Sequence, residues 1–464
     1  MSAPSKIHFE ISERKILLRV FDLICVFLTL YIVSHLFNFN YFKFRLNNWE
    51  WIIVLCVYLS LFGTIFELYD LRQASKFDIV FKNILLTASA TVILYLLTPF
   101  YTPALPYNRL QIVYFFIAIV VALTLWRLAY ISLISSPRFY KRILLIGNTS
   151  DALSLSEALE KSDPNFKIIG CINTGNSYDE MVELSEIEIF SATDIKEIVT
   201  QHSISEIVVS DRLNKSISMR LYAQLLKLVE EGHVVKDFTQ VYEEITYKVP
   251  VDHIDKDFYK YFPFSRSHQN RLYRVIHHGV DYCLSIVGLI LGFALLPGVL
   301  LGNALANRGP LFYTQVRVGK NGELFNILKL RTMIVNAETN GAVWAQNNDQ
   351  RITRFGKFLR KTRIDELPQV VNVLCGDMSI IGPRPERPEF VKQLAEQIPF
   401  YEVRHVIRPG LTGWAQVKGR YASSEQDALE KLQYDLYYIK KRSLYLDINI
   451  LLKTLSTVVF YRGH

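Results

Sequence analysis

VDYCLSIVGLILGFALLPGVLLGNALA, residues 280–306, is the stretch on which the architecture turns. It is apolar over more than the ~20 residues that a helix needs to cross a bilayer. Its flanks argue against a crossing. Arg271 and Arg274 precede it; Arg308, Arg317, Lys320, Lys329 and Arg331 follow it. Lys and Arg collect on the cytoplasmic side of membrane segments, so both ends read as cytoplasmic. Pro297 removes a backbone donor and bends a helix. A bent helix that enters the membrane and returns on the same side satisfies both facts. The alternative is an ordinary fifth span, which would place everything after it outside.

Upstream, the segments 16–37, 51–66, 79–98 and 112–134 read as spanning helices, the second being the shortest. Trp49, Trp51, Tyr69, Tyr101 and Tyr107 flank them at interfacial positions. Lys6, Arg14 and Lys15 precede the set, Arg72 and Lys76 lie in its middle loop, and Arg138, Lys141 and Arg142 follow it. The remaining loops hold Lys43 with Arg45, and Arg109. Residues 1–137 are therefore expected to form a four-helix transmembrane domain with both ends in the cytoplasm. The first apolar run lacks the small-residue cleavage site of a signal peptide.

At Lys141 the texture changes. KRILLIGNTSDALSLSEALE reads as strand, turn and helix, and strand and helix patterns alternate from there to about Asp257. Such alternation implies a parallel sheet with helices on both faces, so residues 138–257 are expected to be a Rossmann-like cytoplasmic domain. Dinucleotide binding needs a second and third glycine in the first turn. The turn Gly147-Asn148-Thr149-Ser150-Asp151-Ala152 has one glycine and an aspartate that would repel phosphate. A structural or regulatory domain is the expectation. Residues 258–274 follow as an aromatic, basic linker, 275–306 as the re-entrant helix, and 307–464 as a domain of soluble texture.

Half of the 464 residues are hydrophobic and the net charge is +8, which suits a chain that is part membrane and part soluble. The positive charge reads as topology, attraction to anionic lipid or phosphate binding. No basic arm or zinc spacing supports nucleic acid as a partner. Cys25, Cys56, Cys171, Cys283 and Cys375 are scattered, which argues against a zinc site or a disulfide framework.

Chemistry concentrates at Thr362-Arg363-Ile364-Asp365-Glu366-Leu367-Pro368-Gln369. Proline belongs in the first turn of a helix, so Asp365 is expected at or near a helix N-cap, where a carboxylate stays ionised. An ionised Asp there can attack phosphorus, and a neighbouring Glu can hold Mg²⁺, which uses one or two carboxylates plus substrate phosphates. A plain capping role for the pair is the alternative. Arg351, Arg354, Arg360, Arg363, Arg384, Arg387, Arg404, Arg408 and Arg420 crowd the same region, more than a solvated face needs. Arginine reads phosphate bidentately. Pro383, Pro385 and Pro388 stiffen the segment that carries Arg384.

From about Arg274 onward the chain resembles the bacterial sugar transferase family, the monotopic polyprenyl-phosphate hexose-1-phosphate transferases or phosphoglycosyl transferases. The stretches that carry the resemblance are GPLFYTQVRVGKNGELFNILKLRTM, LRKTRIDELPQVVNVLCGDMSIIGPRPERPEF, RPGLTGWAQVKGR and YDLYYIKKRSLYLDI. The four spans and the Rossmann-like domain resemble the family's long members.

The resemblance implies an α-rich monotopic catalytic domain at the bacterial inner membrane, facing the cytoplasm. It implies transfer of a sugar 1-phosphate from a UDP-sugar to a polyprenyl phosphate, with UMP released, as the first step of exopolysaccharide, capsule or O-antigen assembly. Asp365 falls on the family's nucleophile, and Glu366 on the Mg²⁺-binding glutamate. Lys329, Arg331, Arg384, Arg408 and Arg420 resemble its phosphate and nucleotide contacts. Pro297 matches the family's membrane kink, although the family usually has Ser-Pro and this chain has Leu296-Pro297. The Rossmann-like domain offers a surface for a homodimer.

Two motifs read as decoys. His277 and His278 are adjacent, point to different sides of a helix and read as lone interfacial histidines. Asp255-Lys256-Asp257 has the D-x-D form of some glycosyltransferases but reads as a solvated loop. Two rival functions remain open. A glycosyltransferase working through Asp255 and Asp257 would release UDP, and a non-enzymatic membrane sensor or scaffold would release no nucleotide.

Overall fold

A computed structural model describes residues 11–37, 39–42, 48–70, 77–133, 141–162, 166–173, 187–191, 194–210, 219–251, 271–335, 337, 349–419 and 425–459. The chain divides into two compact units, residues 1–246 and 247–464.

The first unit opens with helices α1 (Ile11–Leu36), α2 (Trp49–Ile65), α3 (Phe77–Leu96) and α4 (Leu110–Leu133). Each is apolar on both its buried and its exposed side. Leu18, Val26, Leu55, Ile84 and Phe115 fill the interior, while Ile24, Leu28, Val57, Ile93 and Val121 face outward. A helix apolar all round belongs in a membrane or a large core. Three of the four, and the helix that opens the second unit, are long and apolar enough to cross a bilayer. The second, at 17 residues, is about 26 Å long at 1.5 Å per residue. It falls short of the ~30 Å hydrocarbon layer. Inside the bundle Arg127 of α4 pairs with Asp22 of α1 at 2.7 Å, both buried. A charge at that depth is tolerated when it is paired.

The rest of the first unit is a five-stranded, all-parallel sheet. Its strands are β1 (Lys141–Gly147), β2 (Phe166–Asn173), β3 (Glu188–Phe190), β4 (Glu206–Val209) and β5 (Val234–Asp237), in the order β3-β2-β1-β4-β5. The intervening helices are α5 (Thr149–Ser162), α6 (Ile195–Gln201), α7 (Met219–Glu230) and α8 (Phe238–Thr246). Central β1 is buried on both faces, as a covered parallel sheet requires. Ile143 and Leu145 pack with α5 and α8, and Leu144 and Ile146 pack with α6 and α7. Where the strand order reverses, between β1 and β4, the Ser210 hydroxyl donates to Asp151 Oδ2 at 2.5 Å, and Asp151 is fully buried. A β-carbon on Gly147 would press on Ser210. A buried carboxylate thus occupies the crevice where this topology elsewhere receives phosphate.

The division between units falls after Thr246, before the boundary at 257 expected from the strand–helix alternation. Val249 and Val251 are buried in the second unit's core, and Val249 N–H donates to Gln433 O at 3.1 Å. The expected D-x-D decoy, 255–257, and residues 258–270 of the expected linker, 258–274, lie outside the described residues.

In the second unit α9 (Arg271–Ala306) leads to the hairpin β6 (Phe312–Val318) and β7 (Leu324–Leu330). Next come α10 (Arg354–Thr362), a 3₁₀ turn (Ile364–Gln369), α11 (Val370–Cys375) and β8 (Ser379–Ile381). The chain then forms α12 (Pro388–Gln397), a second 3₁₀ turn (Tyr401–Val406) and β9 (Gly410–Thr412), followed by α13 (Trp414–Lys418), α14 (Glu425–Lys441) and α15 (Leu444–Val459). α9 begins at Arg271, four residues before the expected start at 275, and runs through Pro297 as one helix of 36 residues. Its buried residues Tyr273, His277, Asp281 and Ser285 recur every four positions and form one polar stripe. Its other faces are exposed and apolar, including Val275, Ile286, Ile290, Phe293, Leu301 and Leu305. Two glycines let neighbours approach α9 closely. A β-carbon on Gly288 would meet Val370 of α11 at 2.9 Å, and one on Gly302 would strike the Phe355 ring of α10. The helix that leads into the 3₁₀ turn and the helix that leaves it therefore both rest on α9.

Candidate active site

Asp365 and Glu366 lie on the 3₁₀ turn between α10 and α11. α10 ends at Arg363, in the left-handed conformation at φ 59°. That reversal redirects the chain, so Arg363 is the N-cap of the turn and Asp365 comes two residues later. Pro368 closes the turn without an N–H, and the α-helix proper starts at Val370. Both carboxylates are 8% exposed.

The pair is asymmetric. Glu366 Oε1 meets Arg384 Nη2 at 2.5 Å and Lys329 Nζ at 3.7 Å, and Oε2 meets Arg363 Nη1 at 3.4 Å. Burial alone would push the Glu366 carboxyl up, but Arg384, Lys329 and Arg363 outweigh it and hold it below the ordinary carboxylate range. Asp365 differs. Its Oδ1 is buried with no hydrogen-bond partner among the described residues. Burial, and then the charge of Glu366, push its carboxyl above the ordinary range against the pull of Lys329, Arg360 and Arg384. Asp365 is thus a poorly solvated carboxylate with an open oxygen, beside a glutamate already bound by cations. Poor solvation favours nucleophilic attack once the group is ionised.

Lys329 reaches the site from β7. Burial, and then Arg384, push it down to about 8, with Glu366 and Asp365 opposing. Arg384 is held from behind. Arg404 Nη2 donates to its carbonyl at 3.0 Å and to Asp435 Oδ2 at 2.8 Å, and Arg404 Nη1 donates to Tyr401 Oη at 2.7 Å. Gly382 N–H donates to Thr412 O at 2.9 Å, and Gly410 N–H donates to Pro383 O at 2.8 Å. The rigid Pro383-Arg384-Pro385 segment is therefore tied down on both sides.

The structure brings Asp365, Glu366, Lys329 and Arg384 together. It does not bring Arg331 to them. That side chain donates from Nε to Pro310 O at 2.7 Å and from Nη1 to Asn307 Oδ1 at 3.2 Å and Met333 O at 2.9 Å, and from Nη2 to Asn307 O. Only Leu330 separates it from Lys329, but it is spent on closing the C-terminal end of α9. Arg408 lies beside Gly376, the residue that ends α11, where a β-carbon would stand 3.8 Å from its Nη2. Arg420 lies outside the described residues.

The arginine cluster also divides. Arg351 is paired with Asp349 at 2.6 Å, Arg387 lies over the Phe390 ring, and Arg404 is structural. Two positions without an assigned role do touch or influence the dyad, Arg363 by contact and Arg360 by charge. Their signal was position alone: Arg363 lies two residues before Asp365, and Arg360 lies a turn before Arg363. His277 is a correction of another kind. It is 5% exposed and bonded at both ring nitrogens, so it is not a lone interfacial histidine.

No three His, Cys, Asp or Glu side chains gather into a metal-sized group among the described residues. An all-protein cage is therefore not what these residues offer. The open oxygen of Asp365 beside Glu366 does match the sparse carboxylate set of Mg²⁺, which takes its other ligands from water and substrate phosphate.

Residues 272–461 match the family model described as bacterial sugar transferase. Over 228 residues the chain is 42% identical to a UDP-N-acetylgalactosamine-undecaprenyl-phosphate N-acetylgalactosaminephosphotransferase of Aeromonas hydrophila, covering 47% of this chain and 51% of that protein. It is 41% identical over 182 residues to a UDP-glucose:undecaprenyl-phosphate glucose-1-phosphate transferase of Xanthomonas campestris pv. campestris, covering 39% and 38%. A putative undecaprenyl-phosphate N-acetylgalactosaminyl 1-phosphate transferase of Bacillus subtilis (strain 168) is 46% identical over 141 residues, 30% of this chain and 79% of that protein. The match spans about half or less of the first two relatives and most of the third.

Proposed function

The chain belongs to the bacterial sugar transferase family, and on that premise we propose that it moves a sugar 1-phosphate from a UDP-sugar to undecaprenyl phosphate. The observation that carries this reading is the buried, unpaired Oδ1 of Asp365 beside a Glu366 clamped by Arg384, Lys329 and Arg363.

The reaction has two displacements. An oxygen of ionised Asp365 attacks the phosphorus that bears the sugar. The bond from that phosphorus to the bridging oxygen breaks, and UMP leaves with the oxygen. A sugar phosphate is then held on Asp365 as an acyl phosphate. An oxygen of undecaprenyl phosphate attacks the same phosphorus, the bond to Asp365 breaks, and the carboxylate is restored. Splitting one transfer between two anions into two steps lowers each barrier. Lys329 and Arg384 stand where negative charge builds on the transferred group. Glu366 would hold Mg²⁺, which supplies further charge neutralisation when bound.

The rest of the architecture fits the same reading. α9 is a re-entrant helix that sets the site at headgroup depth on the cytoplasmic face of the inner membrane, where the acceptor phosphate lies. The parallel-sheet domain is Rossmann-like and does not bind a dinucleotide. The relatives act on N-acetylgalactosamine or glucose derivatives, so these two UDP-sugars are the first to test.

The test is full-length protein in nanodiscs with undecaprenyl phosphate, Mg²⁺ and a panel of UDP-sugars. UMP is the expected product. UDP would point to a glycosyltransferase, and absence of either nucleotide across the panel would point to a sensor or scaffold. Mass spectrometry of protein given UDP-sugar without acceptor should find sugar phosphate on Asp365.

A further inference from the structure

α9 carries a second polar assembly, apart from the dyad. Asp281 Oδ1 accepts from Ser379 Oγ and from Ile380 N–H, each at 2.9 Å. His277 Nε2 is 3.0 Å from Ser379 Oγ, and His277 Nδ1 is 3.0 Å from Asp447 Oδ2 on α15. Asp447 also accepts from Tyr273 Oη at 2.8 Å and from Tyr438 Oη of α14 at 2.9 Å. Asp281, His277, Ser379 and Asp447 are all buried. A polar network costs a fold free energy unless every member is satisfied, and these members satisfy one another.

The location gives the network its meaning. Ser379 and Ile380 belong to β8, and β8 runs directly into Gly382, Pro383 and Arg384. Two prolines flank Arg384 and fix their own backbone φ, so a shift of β8 passes along the segment with little slack. The Arg384 guanidinium ends on Glu366 at 2.5 Å. A membrane helix is thus connected by side-chain bonds to the strand that aims the site's closest cation.

We propose that Asp281 and His277 are positioning residues, which hold β8 against α9 so that Arg384 meets Glu366 and the transferring phosphate. The proposal rests on the reading above for its kinetic consequences, but not for its structural ones. Both bonds to β8 use one oxygen of Asp281. An amide can supply that oxygen, whereas a methyl group leaves the Ile380 N–H buried and unpaired.

The experiment uses full-length protein in nanodiscs and compares wild type, Asp281→Asn, Asp281→Ala, Ser379→Ala, Arg384→Ala and the double variant Asp281→Ala/Arg384→Ala. Asp281→Ala is expected to lower kcat/KM for UMP release by about 100-fold, the scale of a misplacement near 1 Å. Asp281→Asn should restore the rate to within about threefold of wild type. The double variant should be no slower than Arg384→Ala, because both changes break one unit. Hydrogen exchange should quicken at 379–386 in Asp281→Ala and stay unchanged in the β6–β7 hairpin.

Losses that multiply in the double variant, or exchange at 379–386 that matches wild type, would overturn the proposal. Should Asp281→Ala fail to fold, Ser379→Ala removes the hydroxyl shared by Asp281 and His277, and the double variant Ser379→Ala/Arg384→Ala together with exchange at 379–386 decides by the same criteria. Wild-type protein with no transferase activity would sink the proposed reaction instead, and exchange at 379–386 would still decide the anchoring.

Discussion

Asp151 and Asp365 each stand near the start of a helical segment, each is buried, and each sits where the surrounding topology or charge would receive a phosphate. Their neighbours give them opposite characters. Asp151 is closed off by the Ser210 hydroxyl at 2.5 Å and the tight approach at Gly147. Beside it the Cys171 thiol is pushed up to about 12, by burial and then by the charge of Asp151. Asp365 has an open oxygen, and Lys329, Arg360 and Arg384 all act on it. A carboxylate at a helix start is therefore not a site by itself. Cations that can neutralise an incoming phosphate make the difference, and long-range packing supplies them.

The largest effect expected from this contrast is Asp365→Asn. It removes the attacking oxygen's charge and should lower UMP release by about 10⁴-fold or more, measured by nucleotide product analysis. Retention of normal turnover would break the comparison at once. Arg384→Ala should cost about 100- to 1000-fold in kcat, the range for one donor aimed at developing charge.

Next is the dependence on pH. Asp365 attacks as the carboxylate, and its folded pKa is raised by burial and by Glu366, so activity should rise as pH climbs through a range above that of ordinary carboxylates. Lys329 serves as the cation, and burial pushes it down to about 8, so activity should fall as pH rises through about 8. Lys329→Arg should move the alkaline limb upward. Glu366→Gln removes the like charge beside Asp365 and should move the acid limb downward, while weakening Mg²⁺-dependent turnover. An acid limb that stays in place would show that Glu366 does not act on Asp365.

Two smaller effects sharpen the contrast. Arg331→Lys breaks the guanidinium closure of α9 and should cost about 2 kcal/mol of stability, read as a lower thermal midpoint. Asp151→Asn, in the other unit, should leave turnover within a factor of about two, because Asp151 is tied to Ser210 within its own unit and belongs to no part of the dyad's cation set.

Much of the site was legible in the chain. Asp365-Glu366-Leu367-Pro368 marks a turn into a helix, because proline belongs in a helix's first turn, and the surrounding arginines drew attention to its two carboxylates. The proline-flanked Arg384 was legible because its rigidity is local, whereas Lys329 was singled out only by the family resemblance of the KLRTM stretch. The place of Arg331 was not legible. The resemblance grouped Lys329 and Arg331 as phosphate contacts, but the strand ends at Leu330 and the Arg331 side chain bonds to Pro310 and Asn307 instead. Nor was the role of His277. Tyr273, His277, Asp281 and Ser285 lie four apart in the printed sequence, and that spacing marks a helix face, but it does not say what the face meets.

Composition, charge placement and turn chemistry along the chain were enough to indicate apolar helices, an alternating α/β region and an acidic pair at a turn among arginines, because each depends on residues near in sequence. Which arginines touch Glu366, why Asp151 is shut and Asp365 is open, and how α9 reaches Arg384 were decided by tertiary packing alone. Apart from the Arg363–Glu366 contact, those relations join residues 18 to 170 positions apart, and the energy of a charge depends on whatever folding happens to place beside it.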